Sequence, residues 1–267
     1  MELWDFLDEI VEDEKKKITT IEVSDLEKIP SEDEMALEVG RWFRIRNVVS
    51  IYVDMKGSTQ LTNDKFINTS AKMYQVFTGA LVKIFKEFGS QFIDIKGDGG
   101  FALWKEKFAS VKALLAGVTF KTFVEKHLKN FVRTQMTDWN IASKIGIAKG
   151  TVLVKKIGLR NSEGQKYNWA VWAGTPVNIS SKLSDLANPD TILVTDDCHN
   201  ELTIPSSLKK YLILSCGCPQ GTPVDLWSEK IELTQKFDTK IWELKSRWCD
   251  IHGKEYINKV LEIINRG

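Results

Sequence analysis

Two periods of hydrophobic spacing run through this chain. Val48, Val49, Ile51 and Val53 form a β-branched run, which predicts a buried strand ending at Asp54. From Ser70 to Phe88 the period lengthens. Tyr74, Phe77, Leu81, Ile84, Phe85 and Phe88 share one helical face, and Gly89 stands where that helix stops. The stretch FIDIKGDGGFALW, Phe92 to Trp104, predicts two strands joined by a tight turn at Gly97-Asp98-Gly99-Gly100. Phe108 to Phe131 predicts a second long helix. Ala142–Ala148 and Thr151–Ile157 predict a strand pair turning at Lys149-Gly150, and Arg160 to Tyr167 a polar surface loop. A further strand ends at Ala173-Gly174, where Thr175 can cap a helix with Pro176 at its first position. Near the N-terminus Leu3, Phe6, Leu7, Ile10 and Val11 make a helical stripe, read as packing on its own domain, with a docking or dimerising helix as the alternative. The charged segment Thr19 to Arg46 is expected to wrap the core. The order strand, helix, hairpin, helix, hairpin, strand, helix, strand predicts an α/β (α+β) sandwich with one mostly antiparallel sheet and helices on its faces.

Length and composition narrow the picture. A chain of 267 residues suits one large domain with embellishments. We divide it into an N-terminal helix and wrapping segment (1–44), a central domain (45–205), and a C-terminal embellishment packed on that domain (206–267). The net charge of +1 gives no reason to expect a nucleic-acid or membrane partner. No apolar run reaches the roughly 18 residues of a membrane span. The acidic start Met1-Glu2-Leu3-Trp4-Asp5 is unlike a signal peptide, so a cytoplasmic location is expected. Disulfides are then not expected among the four cysteines. Cys216-Gly217-Cys218 with Cys249 and His252 has a C-x-C and C-x-x-H form. Its spacing is not that of a standard zinc finger, so inert thiols are the expectation and structural zinc the alternative. Cys198-His199 reads as a satisfied surface pair.

The chemistry gathers in three places. A carboxylate at the end of a buried strand is costly unless it binds something, and Asp54 is followed by Met55, Lys56, Gly57, Ser58 and Thr59. Backbone N–H groups of such a turn can cradle a phosphate, with Asp54 holding a cation against it. Asp98 offers a second carboxylate at a hairpin tip, and two oxygen donors beside an anion cradle suit Mg²⁺ or Mn²⁺. If the hairpin pairs beside the Val48–Asp54 strand, the two carboxylates meet at one sheet end. Asn178 and Lys182, four apart on the helix after Gly174, share a face that suits a phosphate or a developing oxyanion.

Taken together, VDMKGST, KGDGGFALW, KIGIAKGTV (Lys144–Val152) and GTPVNISSKL resemble, in this order, the motifs of class III nucleotidyl cyclases. The wording VDMKGSTQL is most similar to the bacterial pyrimidine cyclases of Pycsar anti-phage defence. The resemblance implies the cyclase fold, with its ferredoxin-like sheet, and cyclisation of a nucleoside triphosphate with two divalent ions. It implies that Asp54, Asp98 and the Met55 carbonyl ligate those ions and that Gly57, Ser58 and Thr59 hold phosphates. Asn178 matches the residue that orients the ribose. Lys182 stands where the family has a transition-state arginine, replacing a planar fork by a point charge. The resemblance also implies a homodimer whose sites form across the interface, and a downstream cyclic-nucleotide-sensing effector.

Base choice rests on two departures. The family's adenine-reading Lys and Asp fall here on Asp94 and Val171, so ATP is disfavoured. Asp94 could accept from guanine, from uracil N3–H or from the cytosine amine. Tyr52, two residues before Asp54, could fill space beside a smaller base. The pyrimidine-cyclase resemblance favours UTP, with cytidylate or guanylate cyclase, or a weakly catalytic nucleotide sensor, as alternatives.

Overall fold

The structure, a computed structural model, describes residues 3–31, 33–35, 41–58, 67–135, 140–159, 167–218 and 222–267. Its N-terminal part comprises α1 (Leu3–Thr19), β1 (Glu22–Leu26), β2 (Arg41–Lys56), α2 (Ile67–Glu87), β3 (Phe92–Lys96) and β4 (Gly99–Trp104). Next come α3 (Ala109–Phe123), a π-helical turn (Val124–Leu128), α4 (Lys129–Gln135), β5 (Ala142–Leu159), β6 (Tyr167–Gly174) and α5 (Thr175–Leu186). The rest is β7 (Thr191–Thr195), α6 (Asp196–Glu201), a 3₁₀ turn (Ser206–Leu208), α7 (Lys209–Leu212), β8 (Leu214–Gly217), β9 (Thr222–Asp225), β10 (Trp227–Glu229), α8 (Ile231–Phe237), β11 (Ile241–Leu244) and α9 (Gly253–Arg266).

Nine strands form one sheet in the order β10-β11-β7-β5-β2-β4-β3, with β1 paired to β2 and β6 to β5. Among the described residues only the β1–β2 and β5–β7 pairs are parallel, so the sheet is mostly antiparallel as the pattern predicts. The β-branched run is its centre, and side-chain alternation divides β2 between two cores. Val49, Ile51, Val53 and Met55 are buried with Phe77, Leu81 and Phe85 of α2 and Leu115 and Phe120 of α3. Val48 and Tyr52 face the other way, into a smaller layer with Phe101, Leu103, Val152 and Trp172. The C-terminal residues add two strands, β10 and β11, to the edge beyond β7.

Four expectations need correcting. Residues 142–157 do not fold back at Lys149-Gly150. β5 is one strand of 18 residues, and Val48 and Val49 of β2 pair with Gly150 and Lys149. The glycine that reads as a turn signal instead marks a close approach, since a Cβ there would lie 3.0 Å from Pro176 Cδ of α5. The α1 stripe does not pack on its own domain: no α1 residue is buried, and Leu3 and Trp4 are 68% and 74% exposed. Gly174, not Thr175, is the N-cap of α5. Cys198 and His199 are not a surface pair. Cys198 is buried, and burial pushes its thiol up to about 12. His199 is half-buried, with Trp242 stacked 4.3 Å away and Trp227 edge-on at 5.0 Å. Its two ring nitrogens are buried without a hydrogen-bond partner among the described residues. The expected loop at Arg160 to Tyr167 lies, but for Tyr167, outside those residues.

Candidate active site

Register brings the two carboxylates together. β4 pairs antiparallel with β2, Gly100 opposite Val53, so the β3–β4 turn carrying Asp98 lies at the end of β2 where Asp54 stands. The approach is tight: a Cβ on Gly99 would sit 2.3 Å from the Val53 carbonyl oxygen and 3.3 Å from Asp54 Cα. Asp54 is half-buried, and its carboxyl is pushed above the usual range by burial first and by the facing charge of Asp98 second. Lys144, directly across from Asp54 on β5, opposes that rise. The Lys144 ammonium also donates to the Asp185 carbonyl at 2.5 Å. Two carboxylates that repel each other in a partly dry setting are an oxygen donor set fitted to a hard divalent cation.

Beyond Asp54 the Met55 side chain is buried on the opposite sheet face, and its backbone N–H donates to the Asp54 carboxyl. Lys56 is exposed, and Gly57 adopts φ of 95°, which an L side chain would resist, so the turn there requires glycine. Ser58 is half-buried. Thr59 lies outside the described residues.

The face that carries Asp54 also carries a row of side chains across three strands. Asp94 pairs with Phe101, and Phe101 pairs with Tyr52, so all three stand on one side of the sheet. The Tyr52 and Phe101 rings are parallel within 6° at 6.3 Å. Phe92, two residues before Asp94, contacts Phe101 at 5.7 Å and Trp172 at 4.7 Å. Asp94 forms an ion pair with Lys96 at 2.7 Å. Burial and the neighbouring carboxylates, Asp54 foremost among them, push the Tyr52 phenol up, so it stays a neutral donor. Val171 precedes Trp172 on β6 and is part-exposed, its side chain turned away from the ring contact by strand alternation. β2 bulges between Ile45 and Val48, with Asn47 at φ of 56°.

α5 lies against the same face. Ser180 Oγ and Ser50 Oγ are 2.9 Å apart and buried, and a Cβ on Gly146 would meet the Ser180 carbonyl oxygen at 2.1 Å. With Ser180, Leu183 and Ser184 turned inward, Asn178 and Lys182 face out. They are exposed and so presented to whatever covers this face.

The structure thus brings Asp54 with Asp98, and sets Tyr52 and Asp94 on either side of Phe101. It leaves Asn178 and Lys182 pointing away from their own chain's core. Sequence reasoning missed Phe101, Phe92 and Trp172, which make the aromatic layer, and Asp185, whose charge bears on both Asp54 and Tyr52. Trp172 Nε1 is a buried donor without a partner among the described residues. Only the strand register puts these residues beside Tyr52, and the hydrophobic pattern does not encode register across three strands.

Comparison with known proteins agrees. The family described as the adenylate and guanylate cyclase catalytic domain matches residues 43–213. A protein named uridylate cyclase from Micromonospora echinofusca is 35% identical over 237 residues, covering 85% of this chain and 73% of that one. A uridylate cyclase from Propioniciclava tarda is 31% identical over 226 residues, 82% of this chain and 70% of that one. Among solved structures, the adenylyl cyclase CyaB from P. aeruginosa superposes with a TM-score of 0.57 at 16% identity, over 79% of this chain and 98% of that one. The dimeric guanylyl cyclase domain of the RhoGC fusion protein from Blastocladiella emersonii gives 0.55 at 12%, over 76% and 98%. These two show a shared fold. With the family match spanning most of the chain, and the paired aspartates and the α5 helix in place, the chain belongs to the class III cyclases and is a nucleotidyl cyclase.

Proposed function

We propose that the protein converts UTP to 3′,5′-cyclic UMP and pyrophosphate, as a homodimer that shares its two sites across the interface. The observation that carries the reading is the Asp94–Phe101–Tyr52 row on the face of Asp54. Adenine offers an acceptor at N1 and a donor at its amino group. Here the first position is the carboxylate of Asp94, so adenine N1 meets an acceptor in place of a donor. Uracil N3–H instead finds an acceptor in Asp94, and the Tyr52 phenol supplies bulk and a donor for a smaller ring. The names of the relatives from Micromonospora and Propioniciclava support the same base.

In this reading Asp54, Asp98 and the Met55 carbonyl hold two divalent ions, Mg²⁺ or Mn²⁺, a role supported by the raised Asp54 carboxyl. When bound, such ions acidify the ribose 3′-hydroxyl and neutralise the leaving pyrophosphate. The chain's own groups position the rest. Lys56 and the turn at Gly57, Ser58 and Thr59 hold the phosphates. The partner's α5 brings its Asn178 to the ribose and its Lys182 ammonium to the charge that develops on the α-phosphate. The 3′-oxygen bonds the α-phosphorus, the α–β bridging bond breaks, and the hydroxyl proton passes to solvent. The cyclic nucleotide would then signal to a cyclic-nucleotide-sensing effector in anti-phage defence, as the likeness to the Pycsar cyclases suggests.

Incubation of the purified protein with UTP and Mn²⁺ tests the reaction type. Cyclic UMP and pyrophosphate should appear in equal amounts, and Asp54→Ala should form neither. Linear UMP, or no product from protein of native circular dichroism, would contradict it.

A further inference from the structure

Away from the cyclase site, the four residues whose sequence spacing looks irregular converge. One ligand atom from each of Cys216, Cys218, Cys249 and His252 lies within 4.8 Å of all the others. Cys216 Sγ is 3.4 Å from Cys249 Sγ and 3.1 Å from His252 Nδ1. Cys218 Sγ is 3.2 Å from Cys249 Sγ and 3.0 Å from His252 Nδ1. The structure thus brings these three thiols and the imidazole together. A disulfide does not account for the cluster, because its sulfurs would be about 2.05 Å apart and the third thiol and the imidazole would have no reason to turn inward. A tetrahedral zinc with Zn–S near 2.3 Å and Zn–N near 2.0 Å sets its ligand atoms roughly 3.5–3.8 Å apart. The cluster is close to that size and has one atom per corner.

We infer that Cys216, Cys218, Cys249 and His252 form a structural zinc site that fastens the C-terminal helix α9 to the β8–β9 hairpin. The donor set is three thiolates and one imidazole, soft enough to select Zn²⁺ over the Mg²⁺ or Mn²⁺ of the cyclase site. All four corners come from the protein, which is the closed arrangement of a structural rather than a catalytic zinc. The surroundings fit as well. The His252 N–H points to Cys249 Sγ at 3.5 Å, a backbone donor that supports a thiolate. The His252 ring stacks within 18° on Tyr256, and Tyr256 meets Tyr211 of α7 edge-on at 5.4 Å, so the imidazole is oriented from behind. Cys216, Cys218 and Cys249 also line a cavity of about 300 Å³, which gives an ion a way in.

The local fold needs such a fastening. β8 and β9 form a two-stranded sheet separate from the main one, and each strand has four residues. A hairpin that small is marginal alone. α9 buries only Gly253, Val260 and Ile264. Ligands from β8 and the turn after it, and from the residues just before α9, join two elements that otherwise share little buried surface. The free energy of zinc binding then becomes folding free energy of the C-terminal region.

The test does not depend on which nucleotide is used, so it can fail independently of the proposed cyclase reaction. The full chain, purified without chelator and dialysed against Mg²⁺, should retain one zinc per chain by elemental mass spectrometry. Replacing zinc by Co²⁺ should give the thiolate charge-transfer band and the intense visible bands of tetrahedral cobalt. Cys249→Ser should lose most of the zinc. Cys218→Ser, at the exposed corner, keeps three ligands and should shift the cobalt spectrum even if Cys249→Ser fails to fold. Stripping the zinc should lower Tm by about 5 °C or more. A folded, zinc-free chain whose three thiols react at once with a thiol reagent and bind no Co²⁺ would overturn the site. An intact mass showing a disulfide among them would do the same.

Discussion

Burial and the facing charge of Asp98 push the Asp54 carboxyl up, so the folded chain holds that proton more tightly than the unfolded chain does. The sign follows: stability from this group is present at low pH and is lost as pH rises through the raised value. Without metal, Asp54→Asn should therefore melt slightly higher than the native sequence at neutral pH. The difference should shrink as pH falls through the ordinary carboxylate range. Calorimetry in a chelating buffer reads this, and a lower Tm at pH 7 would contradict it. The same variant should lose about a hundredfold or more in turnover, since the cation that stabilises the leaving group loses its anchor. In the proposed reading Tyr52 and Asp94 act on base choice instead. Removing one buried hydrogen bond costs about 1–3 kcal/mol, so Asp94→Ala should narrow the preference for UTP over CTP by roughly tenfold or more. Tyr52→Ala should slow UTP while leaving Mn²⁺ binding, followed by calorimetric titration, unchanged. An unaltered UTP-to-CTP ratio in Asp94→Ala would remove Asp94 from base reading.

At the scale of elements, the face that carries Asn178 and Lys182 is set by how closely α5 lies on β5. A methyl group at Gly146 would strike the Ser180 carbonyl oxygen, so Gly146→Ala must push the helix away. Overpacking of that kind costs about 1–3 kcal/mol. Because the metal-side residues sit on other strands, kcat should fall more than Mn²⁺ affinity does; an equal loss of both would mean that the sheet itself deformed. The sequence made some of these elements legible and hid others, for physical reasons. β2 and the β3–β4 hairpin stand out because β-branched residues and a Gly-Asp-Gly-Gly turn are local signals. The continuity of β5 is hidden because Gly150 looks the same in sequence whether it makes a turn or admits Pro176. The exposure of α1 is hidden because an apolar stripe does not say what covers it. The aromatic layer of Phe92, Phe101 and Trp172 is hidden because it depends on register across strands. The paired aspartates were legible once the hairpin was placed beside β2. The four residues inferred to hold zinc were visible as types, and only folding puts Cys249 and His252 beside Cys216 and Cys218.

At the scale of the whole molecule, Asn178 and Lys182 face outward from the chain that carries them, and the paired aspartates stand at a sheet end. In a twofold dimer each face meets the other chain's copy, giving two equivalent composite sites. Mixing Asp54→Ala chains with Asn178→Ala chains should therefore restore activity. After free exchange half of the dimers are mixed, each with one complete site, so about a quarter of native activity is expected. No recovery after verified exchange would place each site within one chain. The central claim, a cyclase whose Tyr52 and Asp94 read uracil, is tested most directly by product identity. The unaltered protein, given equal concentrations of UTP, CTP, GTP and ATP with Mn²⁺, should yield chiefly cyclic UMP by mass spectrometry. A predominance of cyclic GMP would contradict the account and would make Asp94 a reader of guanine.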